Sequence, residues 1–243
     1  MTSRVFVMLR NEASERKADL SFVRRTNTAT RHNNLLNGKV FSLIFKKKLA
    51  LTGLILCGGK SERMGTDKGL LTLKATTWAQ AAVAKIASLQ LPVVVSVNEQ
   101  QLEGYSTILS PIQLITDNKS IDIKGPMLGL LSVHVLLPGE DLLILACDMP
   151  LMETSILTLL LDSYKTQSAE AYVFTNDDVY EPLCGIYTAK GLSRILQLLQ
   201  SHQLAKHSMK YMLEQLHTFT IALAENQKKY FRNFNAHAEL NGL

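Results

Sequence analysis

From residue 49 onward, short apolar runs alternate with stretches in which apolar residues recur every three or four positions. The runs predict strands and the periodic stretches predict helices. Strands are expected at 49–57, 92–97, 113–115, 141–146, 171–174, 182–187 and 218–223, and helices at 78–89, 127–137, 153–164, 189–200 and 208–215. This alternation predicts a single α/β domain of three layers, with helices on both faces of a mostly parallel central sheet.

The first 50 residues lack any sustained period and hold eleven of the 26 Lys and Arg residues but three of the 21 Asp and Glu residues. The net charge of +5 therefore belongs to this segment, and the remainder of the chain is mildly acidic. We expect a basic, disordered extension at 1–50, followed by one domain at 51–243. An amphipathic piece near 41–48 that binds a membrane surface or a partner is the alternative.

Charge and composition disfavour several classes of protein. A nucleic-acid-binding domain would carry its basic charge on the folded body, which here is mildly acidic. No apolar run reaches the roughly 18 to 20 residues of a membrane span, and no signal peptide is recognisable, so we expect a cytoplasmic protein. Cys57, Cys147 and Cys184 lie in or beside apolar runs without C-x-x-C spacing, which predicts buried thiols.

The sequence LILCGGKSERMGTDKGLL, residues 54–71, follows the first predicted strand directly. Its Gly59-Lys60-Ser61 invites comparison with the P-loop G-x-x-x-x-G-K-[ST], whose first glycine would fall on Leu54. The spacing therefore excludes a P-loop, and the absence of G-x-G-x-x-G disfavours a dinucleotide fold.

The same loop nevertheless suits a triphosphate. Ligands of a parallel sheet bind beyond the carboxyl ends of its strands. Gly58 and Gly59 permit close approach of the backbone, Arg63 can fork across two phosphate oxygens, and Lys68 supplies a point charge. A solvated turn with incidental charges is the alternative.

Asp148 ends a second apolar run, LLILACDMP, and is therefore expected at the same edge of the sheet as Lys68. A carboxylate there could hold Mg²⁺, which bridges substrate phosphates while keeping several waters. It could equally cap the next helix, since Asp is a favoured N-cap residue. The residues alone leave both roles open.

The complete pattern, a strand followed by GGxSxRMGxDKxLL, resembles the signature of the Rossmann-like nucleotidyltransferases, and most closely the molybdenum cofactor guanylyltransferases. The resemblance spans about residues 51–241. It implies that the guanine nucleotide contacts Leu56, Cys57, Gly58 and Lys68. The CDMP context of Asp148 matches the metal-binding aspartate of that family.

Other segments agree with the resemblance. It implies that Asn98 and Asp117, each following a strand, hold the nucleotide, and that Gly125-Pro126 opens a helix beside it. FRNFNAHAEL resembles the N-x-N segment of the family, which implies that Asn233 and Asn235 lie on the acceptor side. Here Ala-His stands where Thr-Pro is usual.

The resemblance implies a Mg²⁺-dependent transfer of GMP from GTP to the phosphate of molybdopterin, with or without molybdenum, and release of pyrophosphate. Arg63, Lys68 and Asp148 would be the catalytic residues. The partners implied are GTP, molybdopterin and transient contacts with proteins that supply or accept the cofactor.

Two other functions remain open. The first is a cytidylyltransferase acting on molybdopterin or on another phosphorylated small molecule. Related cytidylyltransferases tend to have Ala-Ala-Gly in place of Cys57-Gly58-Gly59 and DQP in place of Asp148-Met149-Pro150, so both segments favour guanine. The second is a non-catalytic nucleotide-binding protein, which would have less need of Asp148.

Overall fold

The computed structural model describes residues 50–58, 67–73 and 75–232. Its strands are β1 (Leu51–Leu56), β2 (Thr72–Leu73), β3 (Thr76–Thr77), β4 (Val93–Val97), β5 (Gln113–Thr116), β6 (Asp141–Ala146), β7 (Ala171–Asn176), β8 (Val179–Tyr187) and β9 (Thr218–Ala222). Its α-helices are α1 (Trp78–Ala87), α2 (Leu102–Leu109), α3 (Pro126–Leu136), α4 (Thr154–Thr166), α5 (Ala189–Gln200) and α6 (Met209–Glu214). Short 3₁₀ segments lie at Lys68–Leu70 and Glu225–Phe231.

Within these residues, seven strands form one sheet in the order β5-β4-β1-β6-β8-β7-β9, and β2 pairs with β3 in a separate hairpin. β5, β4, β1 and β6 pair in parallel, as do β7 and β9. β8 runs antiparallel to both of its neighbours, β6 and β7. The mostly parallel sheet is therefore confirmed, with one antiparallel strand that the sequence did not predict.

Two apolar cores, one on each face of the sheet, complete the three layers. α1, α2 and α4 pack on one face, and α3, α5 and α6 pack on the other. The central strand β1 is buried at every position, as expected for a parallel strand covered on both faces. An added Cβ on Gly53 would lie 2.2 Å from Ile86 Cγ2, so the glycine lets α1 approach β1 closely.

The observed elements differ from the predicted ones in a few places. The first strand begins at Leu51 rather than at residue 49, and β8 begins at Val179, three residues before the predicted start. The hydrophobic pattern did not predict α2, in which only Tyr105 and Leu109 are buried. No helix within the described residues is both long and apolar enough to cross a membrane. The proposed extension at 1–50 stays a prediction, because residues 1–49 lie outside the described part.

Candidate functional site

Four neighbouring strands bring the candidate residues to one edge of the sheet. β5, β4, β1 and β6 are adjacent and parallel, so their carboxyl ends open on the same side. Asp117, Asn98, Cys57 and Asp148 each follow one of these strands within two residues. The backbone pairing continues just beyond the strands, because Cys57 N–H donates to Ser96 O at 2.9 Å. The sheet therefore fixes the position of the backbone at these strand ends.

Two neighbouring cavities lie at this edge. The large cavity has a volume of about 590 Å³ and lies between the ends of β4 and β5 and the start of α3, with Asn98 and Asp117 in its wall. The small cavity, of about 170 Å³, is lined by residues that include Asp67, Lys68 and Asp148. Leu56, Gly58 and Pro126 line both cavities. A ligand with an organic part and a charged tail could therefore occupy the two cavities together.

Lys68 and Asp148 form an ion pair in the small cavity. Lys68 Nζ donates to Asp148 Oδ2 at 3.1 Å, and the two side chains are 22% and 20% exposed. The pair joins the segment after β1 to the end of β6 across 80 residues of sequence. The expectation that these two residues share one edge of the sheet is met by this contact.

The second carboxylate oxygen of Asp148 is available for a ligand. Asp148 Oδ1 is buried and has no hydrogen-bond partner among the described residues. An unpaired buried carboxylate oxygen is costly unless a cation or donor satisfies it. No cluster of three or more His, Cys, Asp or Glu side chains suited to a metal occurs in the described part of the chain. A metal here would therefore be held by Asp148 together with oxygens from water and substrate, which fits Mg²⁺.

Gly58 gives both cavities an open wall. An added Cβ on Gly58 would meet no atom within 4 Å, and its φ is not in the left-handed region. Neither packing nor backbone strain in the described residues therefore requires glycine at this position. A side chain there would instead occupy open space beside the two cavities, which is consistent with close approach of a ligand to the backbone.

The start of α3 borders the large cavity. Gly125 precedes the helix with φ 78° and ψ −163°, a conformation that strongly favours glycine, and Pro126 is its first residue. An added Cβ on Gly129 would lie 2.6 Å from Ser96 Oγ and 3.3 Å from Leu56 Cδ2. Gly129 therefore lets the first turns of α3 approach β4 and β1, which holds the helix start against the cavity.

Asp117 brings an uncompensated carboxylate to the large cavity. Its side chain is half-buried, and it has no hydrogen-bond or ion-pair partner among the described residues. Burial raises the pKa of Asp117 above its usual value. A carboxylate in this state is poised to accept hydrogen bonds from a ligand, because the protein supplies no donor of its own.

Asp67 was not predicted as part of the site. Its Oδ1 accepts from Gly69 N–H at 3.0 Å and from Tyr105 Oη at 2.7 Å. An added Cβ on Gly69 would lie 2.0 Å from Tyr105 Oη, so only glycine fits there without displacement. The signal in the sequence was an acidic residue directly before Lys68, but its partner on α2 lies 38 residues away.

Cysteine and histidine residues offer no evident nucleophile in the described part of the chain. All three cysteines are buried and free, as predicted. The hydrogen bond that the Cys147 thiol shares with Cys57 favours the protonated thiol and, together with burial, raises the pKa of Cys147. His134 is also buried; its Nε2 lies 3.1 Å from Ser193 Oγ, and burial lowers its pKa. The thiols of Cys147 and Cys184 and the imidazole of His134 therefore stay neutral near pH 7, and His134 is a packed histidine, as expected.

Several predicted site residues lie outside the described residues. They are Arg63, Asn233 and Asn235; Gly59 and Lys60, which were not assigned to the site, also lie outside the described residues. The structure brings together the others, namely Leu56, Cys57, Gly58, Lys68, Asn98, Asp117 and Asp148, around the two cavities.

Comparison of the sequence with known proteins identifies a family that this chain matches. A family model of the MobA-like NTP transferase domain matches residues 53–218. A Flavobacterium johnsoniae protein described as a probable molybdenum cofactor guanylyltransferase is 30% identical over 195 residues, covering 79% of this chain and 96% of the relative. A Campylobacter jejuni molybdenum cofactor guanylyltransferase is 33% identical over 138 residues, covering 56% of this chain and 68% of the relative.

A solved structure supports the same fold. The crystal structure of molybdopterin-guanine dinucleotide biosynthesis protein A from Archaeoglobus fulgidus aligns with a TM-score of 0.65 and 19% identity. The alignment covers 79% of this chain and 95% of that one. The three-layer arrangement is therefore shared along nearly the whole length of that protein.

Proposed function

The chain belongs to the family of MobA-like NTP transferase domains, and from that premise we propose that it transfers GMP from GTP to the terminal phosphate of molybdopterin and releases pyrophosphate. The observation that carries the proposal is the Lys68–Asp148 pair in a small cavity that adjoins a cavity large enough for a nucleoside. A cation and a carboxylate with a free oxygen at that place suit a triphosphate with its metal.

The reaction is a direct displacement at phosphorus. An oxygen of the acceptor phosphate forms a bond to the α-phosphorus of GTP, and the bond from that phosphorus to the bridging oxygen of the β-phosphate breaks. The acceptor phosphate is already ionised at neutral pH, so it needs no general base. The neutral state of the Cys147 thiol and of His134 agrees with a mechanism that uses no protein nucleophile.

Lys68 and Arg63 are the proposed catalytic cations. Negative charge moves toward the leaving pyrophosphate as the reaction proceeds, and a fixed cation beside it stabilises the transition state. Lys68 is held in the small cavity by Asp148, which supports this role. Arg63 is assigned on its position in the motif alone.

Asp148 is the proposed ligand of Mg²⁺, through the oxygen that has no partner in the described residues. When bound, the metal would supply Lewis-acid neutralisation of phosphate oxygens. Asp148 also orients Lys68 through its other oxygen, so one carboxylate serves two cations.

The guanine base is proposed to lie in the large cavity, with Asp117 accepting from its N1–H and amino donors. Cytosine offers an acceptor at its ring nitrogen, which a carboxylate repels, so an ionised Asp117 favours guanine. Leu56 and Gly58, which line both cavities, would contact the rest of the nucleotide, together with Asn98 of the large cavity and Cys57 of the small one. Asn233 and Asn235 remain the proposed acceptor-side residues.

The cytidylyltransferase alternative keeps this chemistry and changes the base, and a non-catalytic nucleotide-binding protein would bind GTP without turnover. Pyrophosphate release from GTP, CTP, ATP and UTP, each with molybdopterin and Mg²⁺, separates the three. The proposal expects release with GTP to exceed release with CTP by at least about tenfold. Equal or greater release with CTP would contradict the assignment of guanine, and binding of GTP without release would favour the non-catalytic protein.

A further inference from the structure

Gln101 occupies the junction of three chain segments that border the site. It lies three residues after Asn98, directly before α2, and is half-buried. Its side-chain Nε2 donates to Cys57 O at 3.0 Å and also to Asp67 Oδ2. Its Oε1 accepts from Asn98 N–H at 2.9 Å. One amide group therefore contacts the end of β1, the residue before Lys68 and the end of β4.

These contacts leave the amide group only one favourable orientation. Both N–H bonds of Nε2 face acceptors, and Oε1 faces a backbone donor. The backbone adds a fourth bond, because Gln101 N–H donates to Asn98 Oδ1 at 3.0 Å. A carboxylate in place of the amide would face Cys57 O and the Asp67 carboxylate without a donor.

Asp67 links Gln101 to Lys68, because it accepts a hydrogen bond from Gln101 and directly precedes Lys68. Its carboxylate accepts from Gly69 N–H, Tyr105 Oη and Gln101 Nε2, which fixes the start of the Lys68–Leu70 turn from both sides. Burial raises the pKa of Tyr105, so its hydroxyl remains a donor at all working pH values. The direction in which Lys68 leaves this turn, toward Asp148, then depends on the bond between Gln101 and Asp67.

We propose that Gln101 is a positioning residue for nucleotidyl transfer: its single amide group aligns Cys57, Asn98 and the Asp67–Lys68 turn around the triphosphate. This inference rests on the proposed function for the identity of the reaction but on the hydrogen bonds for the role of Gln101. Because Lys68 acts on charge that develops toward the leaving group, loss of Gln101 lowers kcat more than it raises KM for GTP.

The test compares Gln101→Met with Gln80→Met. Gln80 is a matched control, because it is also half-buried and also joins separate elements: it caps α1 and donates to Ile108 O on α2 at 3.0 Å. It does not line either cavity. Gln101→Met is expected to lower kcat about 100-fold, as misplacement of a catalytic group can, with a smaller rise in KM. Gln80→Met is expected to leave both constants within about twofold, at a comparable loss of melting temperature.

A swap of functional groups tests the bond to Asp67 itself. Gln101→Glu sets two carboxylates against each other and is expected to be about tenfold worse than Gln101→Met. The double variant Gln101→Glu with Asp67→Asn restores a donor between the two side chains and keeps Oδ1 of residue 67 for Gly69 and Tyr105. It is therefore expected to recover at least about tenfold in kcat over Gln101→Glu, although Cys57 O still lacks its donor.

Three outcomes would overturn the inference: wild-type kcat in Gln101→Met, an equal loss of kcat in Gln80→Met, or no recovery in the double variant. If Gln101→Glu failed to fold, the comparison of the two Met variants would still decide. Dissociation constants for GTP and CTP, measured in parallel, separate this inference from the proposed function. GTP binding without turnover in the wild-type protein would contradict the proposed function, whereas wild-type turnover with an unchanged kcat in Gln101→Met would contradict the role of Gln101 alone.

Discussion

Lys68 Nζ lies 3.1 Å from Asp148 Oδ2, so a residue that follows β1 by twelve positions meets a residue that follows β6 by two. β1 and β6 are neighbouring parallel strands. Their adjacency in the sheet, through the parallel pairing of Leu56 with Ala146, turns two separate loops into one charged cavity. The predictions below test what this cavity does.

Asp148→Asn is expected to lower the rate of pyrophosphate release at least about 100-fold at saturating Mg²⁺, because it removes the charge that would hold the metal. Asn keeps the size of the side chain, so the melting temperature should change by only about 2–4 °C. Asp162→Asn is the matched control, since Asp162 also pairs with a lysine, Lys165, but on the exposed side of α4. Near-normal turnover in Asp148→Asn would refute the metal assignment.

Lys68→Ala and Arg63→Ala are each expected to lower kcat/KM for GTP far more than Lys60→Ala. Loss of a charged donor in a partly buried site costs about 1.5–3 kcal/mol, which corresponds to about 10- to 150-fold. The family motif assigns the nucleotide contact to Lys68 and not to Lys60, and a lysine exposed to solvent contributes little in comparison. Steady-state kinetics of the three variants provide the measurement. If Lys60→Ala were the most impaired, the loop would act as a P-loop and the assignment of Lys68 would be wrong.

Asp117→Asn is expected to reduce the preference for GTP over CTP, measured as the ratio of kcat/KM, by about 10- to 100-fold. Asp122→Asn, an exposed carboxylate on the same loop, should leave the ratio unchanged. An unchanged ratio in Asp117→Asn would show that another group selects the base.

The raised pKa of Asp117 predicts the direction in which KM for GTP and protein stability change with pH. Burial raises the pKa of Asp117. As the solution is acidified, Asp117 therefore becomes protonated at a higher pH than an exposed aspartate does. KM for GTP should therefore rise on the acidic side in the wild-type protein and rise less in Asp117→Asn. A raised pKa in the folded state also means that stability from this group is lost as pH increases through that pKa. Asp117→Asn should thus melt no lower than the wild-type protein at pH 7.

Deletion of residues 1–48 is expected to leave the melting temperature almost unchanged. It is expected to change kcat/KM by less than about twofold. The segment lacks an apolar period with which to pack against a core, and its charge is opposite to that of the remaining chain. The deletion must stop there, because Ala50 O accepts from Asp141 N–H at 2.8 Å at the start of the sheet. A large loss of activity would assign the segment a role that its composition does not predict.

The sequence predicted the layers of the fold because buried parallel strands and amphipathic helices have distinct periods. It could not predict that β8 runs antiparallel, since an apolar run has no direction. It also missed α2, whose buried face consists of Tyr105 and Leu109 alone, a single four-residue spacing that is too short to reveal a helix.

The positions of Asn98, Asp117 and Asp148 at strand ends were predictable for a similar reason, because each follows an apolar run, whereas the roles of Asn98 and Asp117 were implied by the family resemblance. Gln101 and Asp67 were not predicted, although Asp67 lines the small cavity and Gln101 donates a hydrogen bond to Asp67. Their bond joins positions 34 residues apart and depends on how α2 packs, which no local pattern specifies. Polar residues that hold other polar residues in place thus became visible only in the structure.

The central claim, attack of molybdopterin phosphate on the α-phosphorus of GTP, is tested most directly by following labelled phosphorus. Wild-type protein, Mg²⁺ and molybdopterin would be incubated with GTP labelled at the α- or the γ-phosphorus, and the products separated. The account predicts that the α-label appears in a molybdopterin–guanine dinucleotide and the γ-label in pyrophosphate, with both transfers reduced at least about 100-fold in Asp148→Asn. Appearance of the γ-label in the pterin product, or of free GMP without a dinucleotide, would contradict it.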